Sequence, residues 1–139
     1  MKTVDRDIRF EDLQKQPTAF EGKSVLLGGV IIETQTLSEK TVLVISQREL
    51  KFDQKPAADE QSKGRFMVST TEFLDPAIYR EGRQVTVIGR VAGETVRPMD
   101  GAPYRYPLLQ KESLHLWPVA ENMQSEPSFQ FGINFGVGF

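Results

Sequence analysis

Residues 20–31 read Phe-Glu-Gly-Lys-Ser-Val-Leu-Leu-Gly-Gly-Val-Ile, and residues 81–91 read Glu-Gly-Arg-Gln-Val-Thr-Val-Ile-Gly-Arg-Val. Both follow one pattern, Gly-basic-x-Val-x-(Leu/Val)-x-Gly-x-(Ile/Val). Successive side chains of a strand point to opposite faces, so Val25, Leu27 and Ile31 share one apolar face. Val85, Val87 and Val91 make its counterpart. Gly29 and Gly89 fall where those faces need room, since glycine within a strand marks a bend or a close approach. The repeat predicts two strongly curved strands of matching shape lying side by side, one over 23–36 and one over 84–93.

Working outward, Thr41 to Ser46 is β-branched and apolar, and Gly64 to Thr71 is another strand by composition. Lys51 to Lys63 is polar and contains Pro56, which reads as a solvated loop. Within Phe73-Leu74-Asp75-Pro76-Ala77-Ile78-Tyr79-Arg80-Glu81-Gly82, Asp75 can cap a helix, Pro76 suits its first position and Gly82 its stop. A helix of about two turns is expected there. Tyr104 to Trp117 is the last strand, and Arg97 to Pro103 reads as a turn-rich connection. Ile8, Phe10, Leu13 and Phe20, spaced irregularly around Pro17, read as a short helical turn and lead-in that plugs the fold.

The order strand, strand, strand, short helix, strand, strand is that of an all-β, five-stranded Greek-key barrel of the OB type, with its helix between the third and fourth strands. Another small β-sandwich is the competing architecture. The expected layout is a lead-in and cap over 1–22, the barrel over 23–118 and a Gly/Phe-rich, strand-like tail over 119–139.

The 139 residues, 39% hydrophobic and 26% charged, suit one domain with one core. The net charge of −2 supplies no global positive field for nucleic acid or anionic lipid. The chain has no cysteine, which excludes disulfides, thiolate catalysis and Cys-based metal sites within it. No apolar run approaches the roughly 18 residues of a membrane span.

Candidate chemistry is sparse. His115 is the single histidine, with no second ligand at metal-binding spacing. No Gly-x-Ser-x-Gly elbow accompanies it, and Glu33, Asp75, Glu94 and Glu112 are dispersed. No enzyme, cofactor or metal is therefore expected. Oligonucleotide binding needs aromatics interleaved with basic residues on the second and third strands, where only Phe66 with Arg65, Arg48 and Lys51 is offered. Nucleic acid is not an expected partner. Arg97, Tyr104 and Arg105 are candidates for a small anionic or carbohydrate site; the competing reading is a solvated face whose arginines pair with nearby carboxylates.

From Phe129 to Phe139 every odd position is apolar and every even one is Gly, Asn or Gln. This two-residue period gives one greasy strand face of six side chains, each worth roughly 1.5 to 3 kcal/mol on full burial. Phe129, Phe131, Ile133, Phe135 and Phe139 are thus candidate contacts for a partner, for a second copy of the chain or for its own barrel. A free-moving end is the alternative.

Glu72-Phe73-Leu74-Asp75-Pro76-Ala77-Ile78-Tyr79-Arg80 followed by Val85-Thr86-Val87-Ile88-Gly89 resembles the Slp family of Gram-negative outer-membrane lipoproteins. Val25 to Ile31 with Gly28-Gly29, then Gly93-Glu94, Pro103-Tyr104 and Leu114-His115-Leu116-Trp117, resemble that family's first and closing segments. The resemblance implies a starvation- or stress-related envelope protein held to the outer membrane by a lipid-modified cysteine; the domain is expected on the periplasmic side, contacting other envelope proteins. The sequence has neither that cysteine nor a signal, and reads as a soluble part following the anchor.

Overall fold

The computed structural model describes residues 4, 8–51, 53–57 and 62–119. Its elements are helix α1 (Phe10–Lys15), a 3-10 turn (Pro17–Phe20), and strands β1 (Ser24–Thr36), β2 (Thr41–Arg48), β3 (Arg65–Thr70), β4 (Gln84–Met99) and β5 (Ala102–Leu116). The strands close a barrel in the order β1-β2-β3-β5-β4, every pair antiparallel except β3 with β5. This is the expected OB-like barrel.

The repeated segments are neighbours. β1 pairs with β4 so that Val25 faces Gly89, Leu27 faces Val87 and Gly29 faces Val85. The flanking backbone bonds repeat in the same sense. Gly22 N donates to Val91 O at 2.8 Å and Val91 N to Lys23 O at 2.8 Å, while Gly82 N donates to Ile31 O at 2.9 Å and Ile31 N to Arg83 O at 2.9 Å. Gly22 and Gly82 hold φ of +88° and +95°, a region that disfavours side chains bearing a Cβ. A Cβ on Gly29 would overlap the Ser46 carbonyl, and one on Gly89 would lie 2.8 Å from Leu109 Cβ. Each glycine lets the next strand cross closely, as a tight barrel requires.

Two sequence expectations are corrected. The segment after β3 is one capped turn, not a two-turn helix. Ala77 N donates to Asp75 Oδ1 at 2.9 Å, and Ile78 N and Tyr79 N donate to Asp75 O. The carbonyls that would accept from a second turn are taken elsewhere: Ile78 O by Arg83 Nη1 at 3.1 Å and Tyr79 O by the Thr34 hydroxyl at 2.5 Å. The short helix is instead α1, which drives Phe10 and Leu13 into the barrel core beside Phe66.

The stretch Arg97 to Pro103 is no loop. β4 and β5 continue through it as a hairpin arm that turns at Asp100-Gly101, with φ of +54° and +83°, the positive pair that a two-residue turn requires. Pro98 faces Pro103 one step from the turn. In such a hairpin that pair does not exchange backbone hydrogen bonds, so neither proline costs the ladder a donor.

The barrel interior is filled by Val25, Leu27, Ile31, Leu43, Ile45, Phe66, Val68, Val85, Val87, Val91 and Leu109, with Leu74 at one end. A second apolar cluster lies on the outer face, where the opposite parity of β2 and β3 places Val42, Val44 and Met67. An irregular register at Ile31/Glu33 adds Ile32 to it. From the arm side come Tyr104, Tyr106 and Leu108.

Candidate functional site

Arg97 and Tyr104 are cross-strand partners on the arm. The Tyr104 hydroxyl accepts from Gln14 Nε2 at 2.6 Å and from Arg65 N at 3.0 Å, and its ring meets Tyr106 edge-on at 4.8 Å. Arg97 Nη2 lies 3.8 Å from Glu33 Oε1 of β1. The arm therefore leans across the outer face, joined to α1, β3 and β1. Arg105 alternates to the other face of β5 and stands 3.7 Å from Glu94. The structure brings Arg97 and Tyr104 together and separates Arg105 from both. The candidate contacts Phe129, Phe131, Ile133, Phe135 and Phe139 lie outside the described residues.

A different arginine set converges on a cleft that the sequence reading did not find. Arg48 from the end of β2, Arg80 and Arg83 from the β3–β4 connection, Gln84 from the start of β4 and Trp117 just beyond β5 line a hollow of about 510 Å³. Arg83 is fixed by Nη2 donating to Trp117 O at 2.9 Å and by Nη1 donating to Ile78 O. Arg48 is held by the Ser46 hydroxyl at 2.7 Å and by Gln47 O at 3.2 Å. The Nε atoms of Arg48 and Arg83 are buried without a hydrogen-bond partner. Arg83 is pushed below its ordinary pKa, first by burial and then by the neighbouring charge of Arg80. Among the described residues no carboxylate forms a salt bridge with Arg48, Arg80 or Arg83. Trp117 is pinned by donating Nε1 to the Thr86 hydroxyl at 2.9 Å. The one sequence signal for this cleft was the basic position of the repeat, occupied by Arg83. Arg48 arrives only through the barrel's closure.

A third feature is the barrel end formed by the β1–β2 turn and the β3–β4 connection. The two are tied by Leu74 N donating to the Thr41 hydroxyl at 3.3 Å and by the Thr34–Tyr79 bond. Leu37, Phe73 and Ile78 stand there 47%, 68% and 48% exposed. His115 is exposed and meets the Trp117 ring edge-on at 4.4 Å. Among the described residues no three His, Asp or Glu side chains converge on a common point, and no helix is long and apolar enough to cross a membrane.

The closed strand order, the plugging helix and the strapped outer face define an OB-like barrel domain. The pattern of the Outer membrane lipoprotein Slp family matches residues 1–136, and the chain belongs to that family. It is 31% identical over 112 residues to an uncharacterized protein of Haemophilus influenzae, covering 80% of this chain and 61% of that one. It is 28% identical over 112 residues to the outer membrane protein Slp of Escherichia coli, covering 81% and 59%. The chain thus spans about three-fifths of the length of these relatives. Among solved structures it is similar to a mitochondrial single-stranded DNA binding protein from S. cerevisiae, with a TM-score of 0.42, 18% identity and coverage of 70% and 94%. A small single-stranded DNA-binding protein from Streptomyces coelicolor gives a TM-score of 0.40 at 14% identity, covering 67% and 92%.

Proposed function

We propose that this domain is a non-enzymatic contact module on the periplasmic side of the outer membrane, tethered through a lipid anchor and docking another envelope protein. The observation that carries the reading is the apolar barrel end: Leu37, Phe73 and Ile78 are large, exposed and held at one end by hydrogen-bonded loops. Apolar side chains grouped in this way favour association with another surface. The outer face of strands 2 and 3, which takes oligonucleotides in OB barrels, is lined here with Val42, Val44 and Met67 under Tyr104 and Tyr106 of the chain's own arm. That occupation supports a protein partner over a nucleic acid. The tail from Phe129 to Phe139 is a second proposed contact element, for a partner or for self-association.

In-cell photo-crosslinking of the full-length lipoprotein tests the reading. A photoreactive residue at Phe73 or Ile78 is expected to trap a discrete protein adduct, while one at Asp100 on the arm tip does not. Equal, diffuse labelling from all three positions overturns it. Sedimentation of the purified chain with and without 129–139 separates self-association from capture of a different protein.

A further inference from the structure

We propose that the Arg48–Arg83–Trp117 cleft binds a sugar bearing a phosphate or carboxylate group. The cleft is separate from Leu37, Phe73 and the arm. Three guanidinium groups line it against one carboxylate, that of the exposed Glu81. Two of the three carry a buried Nε with no partner. Guanidinium groups present planar forks of donors that match the oxygens of a carboxylate or phosphate, and such charge-assisted bonds are the stronger ones. Arg80 lies close enough to disfavour the charge of Arg83, so an anion beside the two would relieve that repulsion.

The size and the walls indicate a body attached to the anion. At about 510 Å³ the hollow falls among small-molecule sites and is far larger than one oxyanion needs. Its remaining lining alternates apolar with polar groups: Val30, Pro118 and the Trp117 indole on one hand, the Gln84 amide on the other. Gln84 is oriented by donating Nε2 to Pro56 O at 3.0 Å, which leaves its carbonyl oxygen as an acceptor for a hydroxyl. A sugar ring offers the matching mixture of C–H faces and hydroxyls. Arg83 is already braced through Nη1 and Nη2 and Arg48 through Nη1, so little freedom is lost when the anion arrives.

Trp117 is the chain's single tryptophan, so its emission reports on this cleft. The purified full chain is titrated with glucosamine 6-phosphate, N-acetylmuramic acid, neutral N-acetylglucosamine and inorganic phosphate, followed by fluorescence and by calorimetry. Saturable binding of at least one acidic sugar, at least tenfold tighter than the neutral sugar and than phosphate alone, is the expected result. Preference for the phosphorylated probe assigns a phosphosugar, and preference for the carboxylated one assigns a sugar acid of muramic type. Arg80→Ala, whose side chain is exposed and makes one long bond to Ala77 O at 3.4 Å, leaves the fold intact and is expected to weaken binding several-fold. Arg48→Gln is expected to weaken it at least tenfold. Absence of saturable binding by either acidic sugar, equal binding of the neutral sugar or of phosphate, or binding unchanged in both variants overturns the proposal. Loss of crosslinking at Phe73 or Ile78 has no bearing on this result, so the two readings fail separately.

Discussion

Leu27 and Val87 face each other across the β1–β4 ladder, and a local twofold axis passes between them. It exchanges Gly22 with Gly82, Gly29 with Gly89 and Ile31 with Val91, so the duplicated pattern in the sequence is a symmetry of the barrel wall. The two positions of each pair nonetheless meet different surroundings, and substitution distinguishes them.

Gly22→Ala and Gly82→Ala add a methyl where nothing lies within 4 Å, so only the positive φ resists. Each is expected to cost about 1–2 kcal/mol. At Gly29 the added carbon meets the backbone carbonyl of Ser46, which cannot move without opening the β1–β2 ladder. At Gly89 it meets Leu109 at 2.8 Å and Gln110 O at 3.1 Å. Overpacking of this kind costs about 1–3 kcal/mol, and Gly29→Ala should be the more severe. Urea midpoints of the four variants check the order Gly29, then Gly89, then the two turn glycines.

Leu13 is fully buried, although it belongs to a six-residue helix outside the barrel wall. Truncation in a packed core costs about 2–5 kcal/mol, and Leu13→Ala is expected within that range. Glu11, on the same helix, faces solvent and should tolerate alanine with a much smaller shift in the thermal midpoint. A Leu13→Ala midpoint matching that of Glu11→Ala would show that the helix does not plug the barrel.

Glu11 is also held below its ordinary pKa, chiefly by its hydrogen bond from Lys63, and Lys63 is held above its own by Glu11 and then Glu49. A depressed carboxylate contributes stability above its unfolded pKa and loses it as pH falls through the folded value. A raised ammonium contributes below its unfolded pKa and loses it as pH rises through the folded value. The pair therefore supports the fold between the ordinary values of 4.5 and 10.5 and fades on either side. Both side chains are exposed enough for solvent to weaken the effect. Lys63→Met is expected to flatten slightly the acid limb of the thermal midpoint against pH.

The barrel was legible because its decisive signals are local and periodic. The alternation of Val25, Leu27 and Ile31, repeated at Val85, Val87 and Val91, needs only neighbouring residues to be read. The capping role of Asp75 is legible in the same way; the length of its helix is not, because Arg83 and Thr34 take the carbonyls that would continue it. The hairpin arm is hard to read because Pro98 and Pro103 interrupt the strand pattern on either side of the Asp100-Gly101 turn. The arginine cleft joins β2 to the β3–β4 connection and the end of β5, and no spacing along the chain announces such a meeting.

What seats the arm on the outer face can be decided between a hydroxyl and an ion pair. Tyr104→Phe keeps the ring against Tyr106 but leaves Arg65 N–H and the Gln14 amide without their acceptor. Stranding partly buried donors costs about 1–3 kcal/mol. Arg97 and Glu33 are 3.8 Å apart with side chains 37% and 49% exposed, and exposed pairs contribute at most about 1 kcal/mol. Arg97→Ala should therefore leave the unfolding midpoint nearly unchanged, whereas Tyr104→Phe lowers it and increases amide exchange at Arg65. The hydroxyl also joins the arm to α1, so exchange should rise around Gln14 in the same variant. If Arg97→Ala proves the more damaging, the arm is held by charge, and its seating should then weaken with added salt in the unsubstituted protein.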